Sequence, residues 1–342
     1  MPIRDLISKS FVKYLAGRFG QCALVIFVGI TITFLIPRLA PTNPVEQKIN
    51  QMMTGPASIH PEAIKAFRES MNDLYGLKGS LGEQYVNFWK RFFHGDLGPS
   101  LFSYPHPVTE LIWRSMPWTI GLLLTTSLLS WLIGNLLGGL AGYYSGKRWT
   151  KWVELFANCV RPIPYYIFAF ILLIVFCFLI PLFPSSGAYA PGVKEGWNAP
   201  FFLSVLYHLF LPALSLVVTS VGAWLLGMRS LVSNIISEDY VQYAEVGGVD
   251  KNTILSKYVM KNALLPQITG LGMSLGGIFS GALITEVVFG IPGIGMLSYR
   301  AITNFDYSLI MGVSIFSIVG VSVSVLVVDL LYPIFDPRVR LN

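Results

Sequence analysis

Few residues in this 342-residue chain could do chemistry, and none stands in a recognised catalytic spacing. The stretch 142–148, GYYSGKR, is similar to a phosphate-binding loop. It is one residue short, however, and it ends in Arg148 where a Ser or Thr must reach magnesium. The run 290–295, GIPGIG, lacks the G-x-G-x-x-G spacing of a dinucleotide site. The sequence therefore predicts no catalytic site and no nucleotide cofactor bound by this chain.

Metal binding is not indicated either. The four histidines are far apart in the sequence: His60, His94, His106 and His208. The three cysteines form no C-x-x-C pair and lie in or beside apolar runs: Cys22, Cys159 and Cys177. Without a spacing that brings ligands together, we predict no metal site, and we interpret the cysteines as small apolar residues.

Charged residues inside the apolar runs stand near the ends of those runs. Asp329, Glu286 and Arg161 are the examples, and none lies at the centre of a run. Transporters driven by protons or sodium usually place Asp, Glu or His at mid-membrane. We therefore favour structural charges that are paired or reach the interface. If the protein moves a solute against its concentration gradient, we expect the energy to come from a source other than these charged residues.

The composition is that of a membrane protein. Apolar types make up 54% of the chain and charged types 12%, with a mean hydropathy of +0.61. An average soluble domain is about 25% charged, so lipid must cover much of this surface. The net charge of +6 is then explained by basic loops, and nucleic-acid binding is not indicated.

Six apolar runs approach the roughly 20 residues needed to cross a bilayer. They cover 20–37, 118–142, 161–183, 209–228, 267–289 and 309–331. We predict an all-α membrane protein with a cytoplasmic amphipathic lead (1–19), a first transmembrane helix retained as a span (20–37), an extracytoplasmic lobe (38–117), a five-helix core (118–333) and a cytoplasmic tail (334–342). Lys and Arg collect in the lead, the 143–152 loop, the 229–265 loop and the tail, which predicts that both termini are cytoplasmic.

Glycines four residues apart predict close helix packing. The second span carries Gly134, Gly138 and Gly142. The fifth span carries two such pairs: Gly272 with Gly276, and Gly277 with Gly281. Ordinary packing within the bundle is the simpler interpretation, and helices that line a path and slide against a partner are the functional one.

The 229–265 loop is the most informative segment. Ser237-Glu238-Asp239 predicts the start of a helix, with a capping residue followed by acidic residues near the positive end of the helix dipole. Tyr240, Tyr243, Ala244 and Gly247 then follow at the spacing of one helix face. We expect exposed aromatic and small residues there.

The second half of the loop predicts another short helix. Gly247-Gly248 can form a left-handed turn, and Asp250 can cap a helix over 253–264. The segment thus predicts a helical hairpin that docks a cytoplasmic partner, with an ordinary polar loop as the alternative.

These residues resemble a known family. The stretches 239–248, DYVQYAEVGG, and 261–266, KNALLP, are similar to the EAA loop of binding-protein-dependent ABC permeases, in the dipeptide, oligopeptide and nickel branch. Further motifs of that branch follow in order: 38–44 RLAPTNP, 95–100 GDLGPS, 184–187 PSSG, 286–295 EVVFGIPGIG, 329–332 DLLY and 336–338 DPR. The resemblance covers nearly the whole chain.

The resemblance implies the fold of a type I ABC importer permease and the rest of a transport machine. The expected partners are a second homologous permease, two cytoplasmic ATP-binding subunits that carry ATP and magnesium, and an extracytoplasmic solute-binding protein. It implies that coupling to the ATPase involves Asp239, Tyr240, Tyr243, Ala244, Glu245, Gly247, Gly248 and Asp250. The implied location is the plasma membrane of a bacterium or archaeon.

The loop departs from the family pattern at the Glu-Ala-Ala motif. The Glu-Ala-Ala positions are occupied by Gln242, Tyr243 and Ala244, which affects the individual docking contacts.

The solute and the function class have alternatives. The solute is a peptide or an oligosaccharide, and nickel is less favoured because no histidine or acid cluster lies in a span. An ion-coupled secondary transporter or channel is the alternative, but mid-span charges and an internal repeat are missing. A membrane enzyme would need a nucleophile–base or metal pair that the spans lack.

Overall fold

The computed structural model describes residues 9–39, 46, 49 and 61–335. Within these residues the regular structure is helical, and the one β-bridge joins Pro99 to Pro107. The RLAPTNP motif from residue 40 onward and the DPR motif of the tail lie outside the described residues. The predicted all-α class is confirmed.

We number the helices of the described residues in chain order. They are α1 (Lys9–Leu39), α2 (Pro61–Leu74), α3 (Leu81–Phe93), α4 (Val108–Tyr143), α5 (Arg148–Val160), α6 (Tyr165–Leu179), α7 (Ala199–Ile236), α8 (Asp239–Val246), α9 (Lys251–Ser280), α10 (Leu283–Val288), α11 (Ile294–Thr303) and α12 (Tyr307–Phe335). Five of them are long and apolar enough to cross a membrane: α1, α4, α7, α9 and α12. Counting the bent pair α5–α6 as one span gives six.

The spanning helices α1, α4, α7 and α12 extend beyond the predicted apolar runs at both ends, and the other two predicted spans are interrupted. The fifth was expected over 267–289, but α9 begins at Lys251 and stops at Ser280. It stops because Gly281 has a φ of 76°, in the left-handed region that ends a helix. The third span, expected from residue 161, bends by 94° between α5 and α6. Pro162 and Pro164 fall at that bend, where two missing N–H donors interrupt the helix.

Close backbone contact joins α4 to α7. A Cβ atom placed at Gly138 would overlap the carbonyl oxygen of Leu225. Gly134 faces the backbone around Leu225 in the same way, and Gly142 lies against Arg229 and Val232. All three glycines are buried. In the structure these three glycines of the second span pack closely, and α7 is the partner helix.

The glycines of α9 divide into two groups. Gly272 lies against Val328 of α12. A Cβ atom added at Gly276 would lie 3.5 Å from the Cβ atom of Ser324 on the same helix, α12. Gly277 has nothing within 4 Å of its Cβ position, so it packs against no other helix of the described chain. It begins a short stretch of 3₁₀ helix over Gly277–Ser280. Gly281 forms the left-handed turn, and a Cβ atom there would lie 3.0 Å from the backbone nitrogen of Gly295 in α11.

A lobe formed by residues 61–107 packs against α1 and α12. Helix α3 begins with a capping box between Ser80 and Glu83. Its aromatic side chains stack on α1, with the Trp89 and Phe27 rings 5.5 Å apart. The buried carboxylate of Asp306 accepts hydrogen bonds from Ser100 Oγ at 2.6 Å and from the backbone N–H of Leu309 at 3.0 Å. This carboxylate ties the lobe to the start of α12.

Contacts between distant helices place the chain's loops on two sides. Arg18 of α1 pairs with Asp329 of α12 at 3.2 Å, so the early part of α1 and the late part of α12 lie together. Because α4 runs beside α7 and α9 runs beside α12, the 143–152 and 229–265 loops share that side. We call it the coupling-loop side, after the 229–265 loop that the family resemblance associates with coupling to the ATPase. Asp329 is thus a paired structural charge, as predicted.

The α4–α7 contact predicts a strong effect of a single methyl group. Gly138→Ala should lower the free energy of unfolding by about 1–3 kcal/mol, because the Cβ atom overpacks against the α7 backbone. Gly121→Ala is the matched control on the same helix, since nothing lies within 4 Å of its Cβ position. Thermal unfolding of the detergent-purified chain measures both. Equal melting temperatures for the two variants would contradict the assigned contact.

Candidate coupling site

The coupling loop, residues 229–265, is more helical than the sequence indicated. Its first eight residues complete α7, which ends at Ile236, and its last fifteen are already the start of α9. Between them lies the short helix α8, Asp239–Val246. The loop is therefore an eight-residue helix held between the ends of two spanning helices.

The turn after α8 depends on one glycine. Gly248 has a φ of 75°, and the N–H of Val249 donates to the carbonyl of Ala244 at 3.0 Å. Gly247 has a φ of −72°, so of the predicted glycine pair only Gly248 is left-handed. This hydrogen-bonded turn ends α8 and directs the chain into α9.

One of the two predicted helix caps is present. The Asp250 carboxylate accepts from the N–H groups of Asn252 and Thr253, at 3.0 and 3.3 Å, as expected. Ser237 does not cap α8, because its hydroxyl donates to the carbonyl of Asn234 at 2.7 Å. The N-cap position is Glu238, without a side-chain hydrogen bond, and Asp239 stands in the first turn near the positive helix end.

Helix α8 has a buried face and an exposed face. Val241 and Ala244 are buried in a cluster with residues of α7 and α9: Met228, Val232, Ile254, Val259 and Ala263. Tyr243 is 75% exposed and Val246 88% exposed, and Tyr240 is also exposed. The expectation that Ala244 is exposed is wrong, because its small side chain lets α8 sit against α7 and α9. Sequence reasoning missed Val246, which no polar or aromatic signal marks.

Hydrogen bonds also connect the loop to the ends of the neighbouring helices. The Tyr240 hydroxyl donates to the carbonyl of Tyr258 at 3.4 Å and accepts from Asn262 Nδ2 at 3.1 Å. The Tyr143 hydroxyl at the end of α4 donates to the carbonyl of Lys251 at 3.3 Å. These bonds connect α4, α8 and α9 at the ends of the spanning helices.

A second polar site lies on the opposite side of the bundle, around Glu286. This residue is 0% exposed. Its Oε1 accepts from Thr119 Oγ1 at 2.8 Å and from the N–H of Ala282 at 3.3 Å. Its Oε2 accepts from the N–H groups of Gly295 and Met296, at 2.7 and 3.1 Å. We call Glu286 and Thr119, with these N–H donors, the Glu286 hub.

The Glu286 hub joins three helices across a break in the chain. Thr119 also accepts from the N–H of Ile294 at 2.7 Å, so α4 is bonded to the first turn of α11. A Cβ atom at Gly293 would overlap both Glu286 and Thr119, which explains why the 290–295 run is rich in glycine. Glu286 was predicted to be a paired or interfacial charge. Within the described residues it forms no ion pair, because backbone N–H groups and a hydroxyl satisfy it instead.

Comparison with known proteins identifies the class of this chain. Residues 134–341 match the family described as "Binding-protein-dependent transport system inner membrane component". That match covers more than half of the chain and includes both the coupling loop and Glu286. The chain belongs to this family. It is therefore a permease subunit of a binding-protein-dependent importer with the type I permease fold, a multi-pass membrane component and not itself an enzyme.

Relatives of similar length extend the match to the N-terminal part. The chain is 30% identical to the oligopeptide transport system permease protein AppB of Bacillus subtilis, over 93% of this chain and 96% of that protein. It is 28% identical to the oligopeptide transport system permease protein OppB of Salmonella typhimurium, over 96% and 99%. It is 32% identical to the probable peptide ABC transporter permease protein y4tP of Sinorhizobium fredii, over 93% and 96%. The predicted family resemblance is confirmed.

The Glu286 hub predicts that loss of one acceptor oxygen is costly. Glu286→Gln keeps the size of the side chain but replaces one acceptor oxygen by an amide NH₂, which cannot accept from the donors around it. It should lower the free energy of unfolding by about 1–3 kcal/mol, since at least one buried donor loses its acceptor. Glu69→Gln, at an exposed position of α2, is the control. Thermal unfolding compares the two, and equal stability of both variants would contradict the hydrogen-bond assignment.

Proposed function

We propose that this chain forms half of the translocation path of an ATP-driven oligopeptide importer and couples to its ATPase through α8. In this proposal a second homologous permease supplies the other half, and two cytoplasmic subunits bind ATP and magnesium. An extracytoplasmic binding protein delivers the solute. The observation that supports coupling best is the exposed face of α8, held rigidly between two spanning helices.

The proposed mechanism uses both faces of α8. Tyr240, Tyr243 and Val246 present an aromatic and apolar surface of the kind that fills a partner's pocket. Val241 and Ala244 fix the same helix to α7 and α9. Closure of the ATPase dimer would then push on the exposed face, and the buried face would pass the movement to the spans. The two permeases would thereby alternate between inward and outward access.

The orientation follows from the distribution of basic residues. The loops that share the coupling-loop side include 143–152 and 229–265, with three and four Lys or Arg residues. We propose that this side and both termini are cytoplasmic, in the plasma membrane of a bacterium or archaeon. The lobe and the Glu286 hub then lie toward the outer face, where the binding protein docks.

Peptides are the solute class that the relatives favour. AppB and OppB are named as oligopeptide permeases, and y4tP as a probable peptide permease. An oligosaccharide is the other solute class that the sequence left open. The two are separated by assembling the transporter with its binding protein in liposomes and measuring ATP-dependent uptake of short labelled peptides and of β-linked oligosaccharides.

The expected result of that assay is uptake of peptide that requires ATP and the binding protein. Affinity purification of the tagged chain should also recover a second permease and the ATP-binding subunits. Uptake of oligosaccharide alone would contradict the solute assignment while keeping the coupling proposal. A chain that purified alone and moved solute without ATP would overturn the proposal as a whole.

Gly248 provides a specific test of coupling. Gly248→Arg should reduce ATP-dependent uptake by at least about tenfold, a change of 1.4 kcal/mol in coupling, because it places a long cation at the docking turn. Gly192→Arg is a matched control on the opposite side. Both glycines have positive φ, 75° and 86°, and open space around the Cβ position, so the backbone strain is similar. Equal uptake by the two variants would place the ATPase contact elsewhere.

A further inference from the structure

Helix α5 carries an exposed apolar face that no part of the described chain covers. Trp149, Leu155 and Phe156 are exposed, and Trp152 is 72% exposed. Cys159 is exposed as well. At 100° per residue these five side chains fall within one third of the helix circumference. We call them the outward face of α5.

The remaining circumference of α5 has two other functions. Thr150, Ala157 and Val160 are buried, and the carbonyl of Ala157 lies 3.0 Å from the Cβ position of Gly222 on α7. Between the buried sector and the outward face is a polar sector with Lys151 and Asn158, both exposed. The helix therefore presents one side to protein, one to water and one that is apolar and uncovered.

The charge on and beside α5 is positive. Lys147, Arg148 and Lys151 stand at its beginning. Arg148 and Lys151 form no ion pair with the residues that the structure describes, and Lys147 lies over the ring of Tyr144. The one acid of the helix, Glu154, is already neutralised by Arg229 at 2.6 Å. The exposed charge at this end is thus cationic.

The bend places this helix along the membrane surface. Helix α6 turns by 94° from α5, so if α6 crosses the bilayer, α5 runs nearly parallel to its plane. Only four residues separate it from the end of α4, on the coupling-loop side. A helix with tryptophan and leucine on one face and lysine on another has the composition of an interfacial helix.

We propose that α5 lies in the headgroup region of the leaflet on the coupling-loop side and binds anionic phospholipid there. The outward face enters the acyl boundary, and Lys147, Arg148 and Lys151 contact lipid phosphates. Charge complementarity favours an anionic lipid surface over a protein partner, because three unneutralised cations flank the apolar face. The Glu154–Arg229 pair connects α5 to the last turns of α7, at the first residue of the coupling loop.

The test uses a photocrosslinker at Cys159 of the full chain, with Cys22 and Cys177 changed to serine. The reconstituted chain is irradiated in vesicles with equal amounts of phosphatidylglycerol and phosphatidylcholine, and the adducts are counted by mass spectrometry. The neighbouring position is the control: Asn158→Cys, with Cys159→Ser, points to the polar sector. We expect abundant lipid adducts from Cys159, few from position 158, and a preference for phosphatidylglycerol.

A charge variant tests the anionic part of the proposal. K147Q/R148Q/K151Q should lower the ratio of phosphatidylglycerol to phosphatidylcholine adducts by about fivefold or more, since each basic residue at an anionic surface contributes about that factor. K65Q/K90Q/K194Q, away from α5, should leave the ratio unchanged. The single variant K151Q serves the same purpose if the triple variant does not fold. Adducts to protein instead of lipid, or a ratio insensitive to the α5 charges, would overturn the proposal.

Discussion

A membrane protein must supply acceptors for its own buried backbone N–H groups, because hydrocarbon offers no hydrogen bonds. The break between α9 and α11 meets this requirement through one carboxylate. Glu286 accepts from the N–H groups of Ala282, Gly295 and Met296, and Thr119 accepts from Ile294. A buried charge without a counter-ion is normally costly. Here it replaces the carbonyl groups that a continuous helix would have supplied, and the glycines of the 290–295 run let the backbone approach it.

The two ends of α9 are consequently fixed in different ways. At Lys251 the helix is bonded to Tyr143 of α4 and packed against α8. Beyond Ser280 the chain passes into the Glu286 hub, which holds α4 again through Thr119. Both polar sites therefore bind α9 and its continuation to the same helix, α4. In the proposed mechanism, a displacement of α8 would therefore reach a frame that is bonded to α4 at both ends of α9.

Much of this arrangement could be predicted from the sequence. Hydropathy indicates the spans, the glycine spacing indicates the α4 contact, and Asp250 and Gly248 indicate a capped helix after a left-handed turn. The failures have local causes. Ala244 and Tyr243 are adjacent in the sequence, and only the positions of α7 and α9 decide which one is buried. The Thr119–Glu286 contact joins residues 167 positions apart, and a single sequence has no signal for such a pair. The sequence predicted a loop over 143–152 and a span from residue 161, so it gave no separate helix at α5, which covers Arg148–Val160.

The α4–α7 contact also imposes an order on biosynthesis. The glycine face of α4 enters the membrane well before Leu225 and Val232, its partners on α7, have been translated. Helices α5 and α6 are made in the interval, so the glycine face of α4 has no α7 to pack against until both have been translated. One contact of the first helix depends on a still later segment, since the Tyr14 hydroxyl donates to the carbonyl of Asp329, 315 positions along the chain. The α1–α12 contact can therefore form only when nearly the whole chain has been translated.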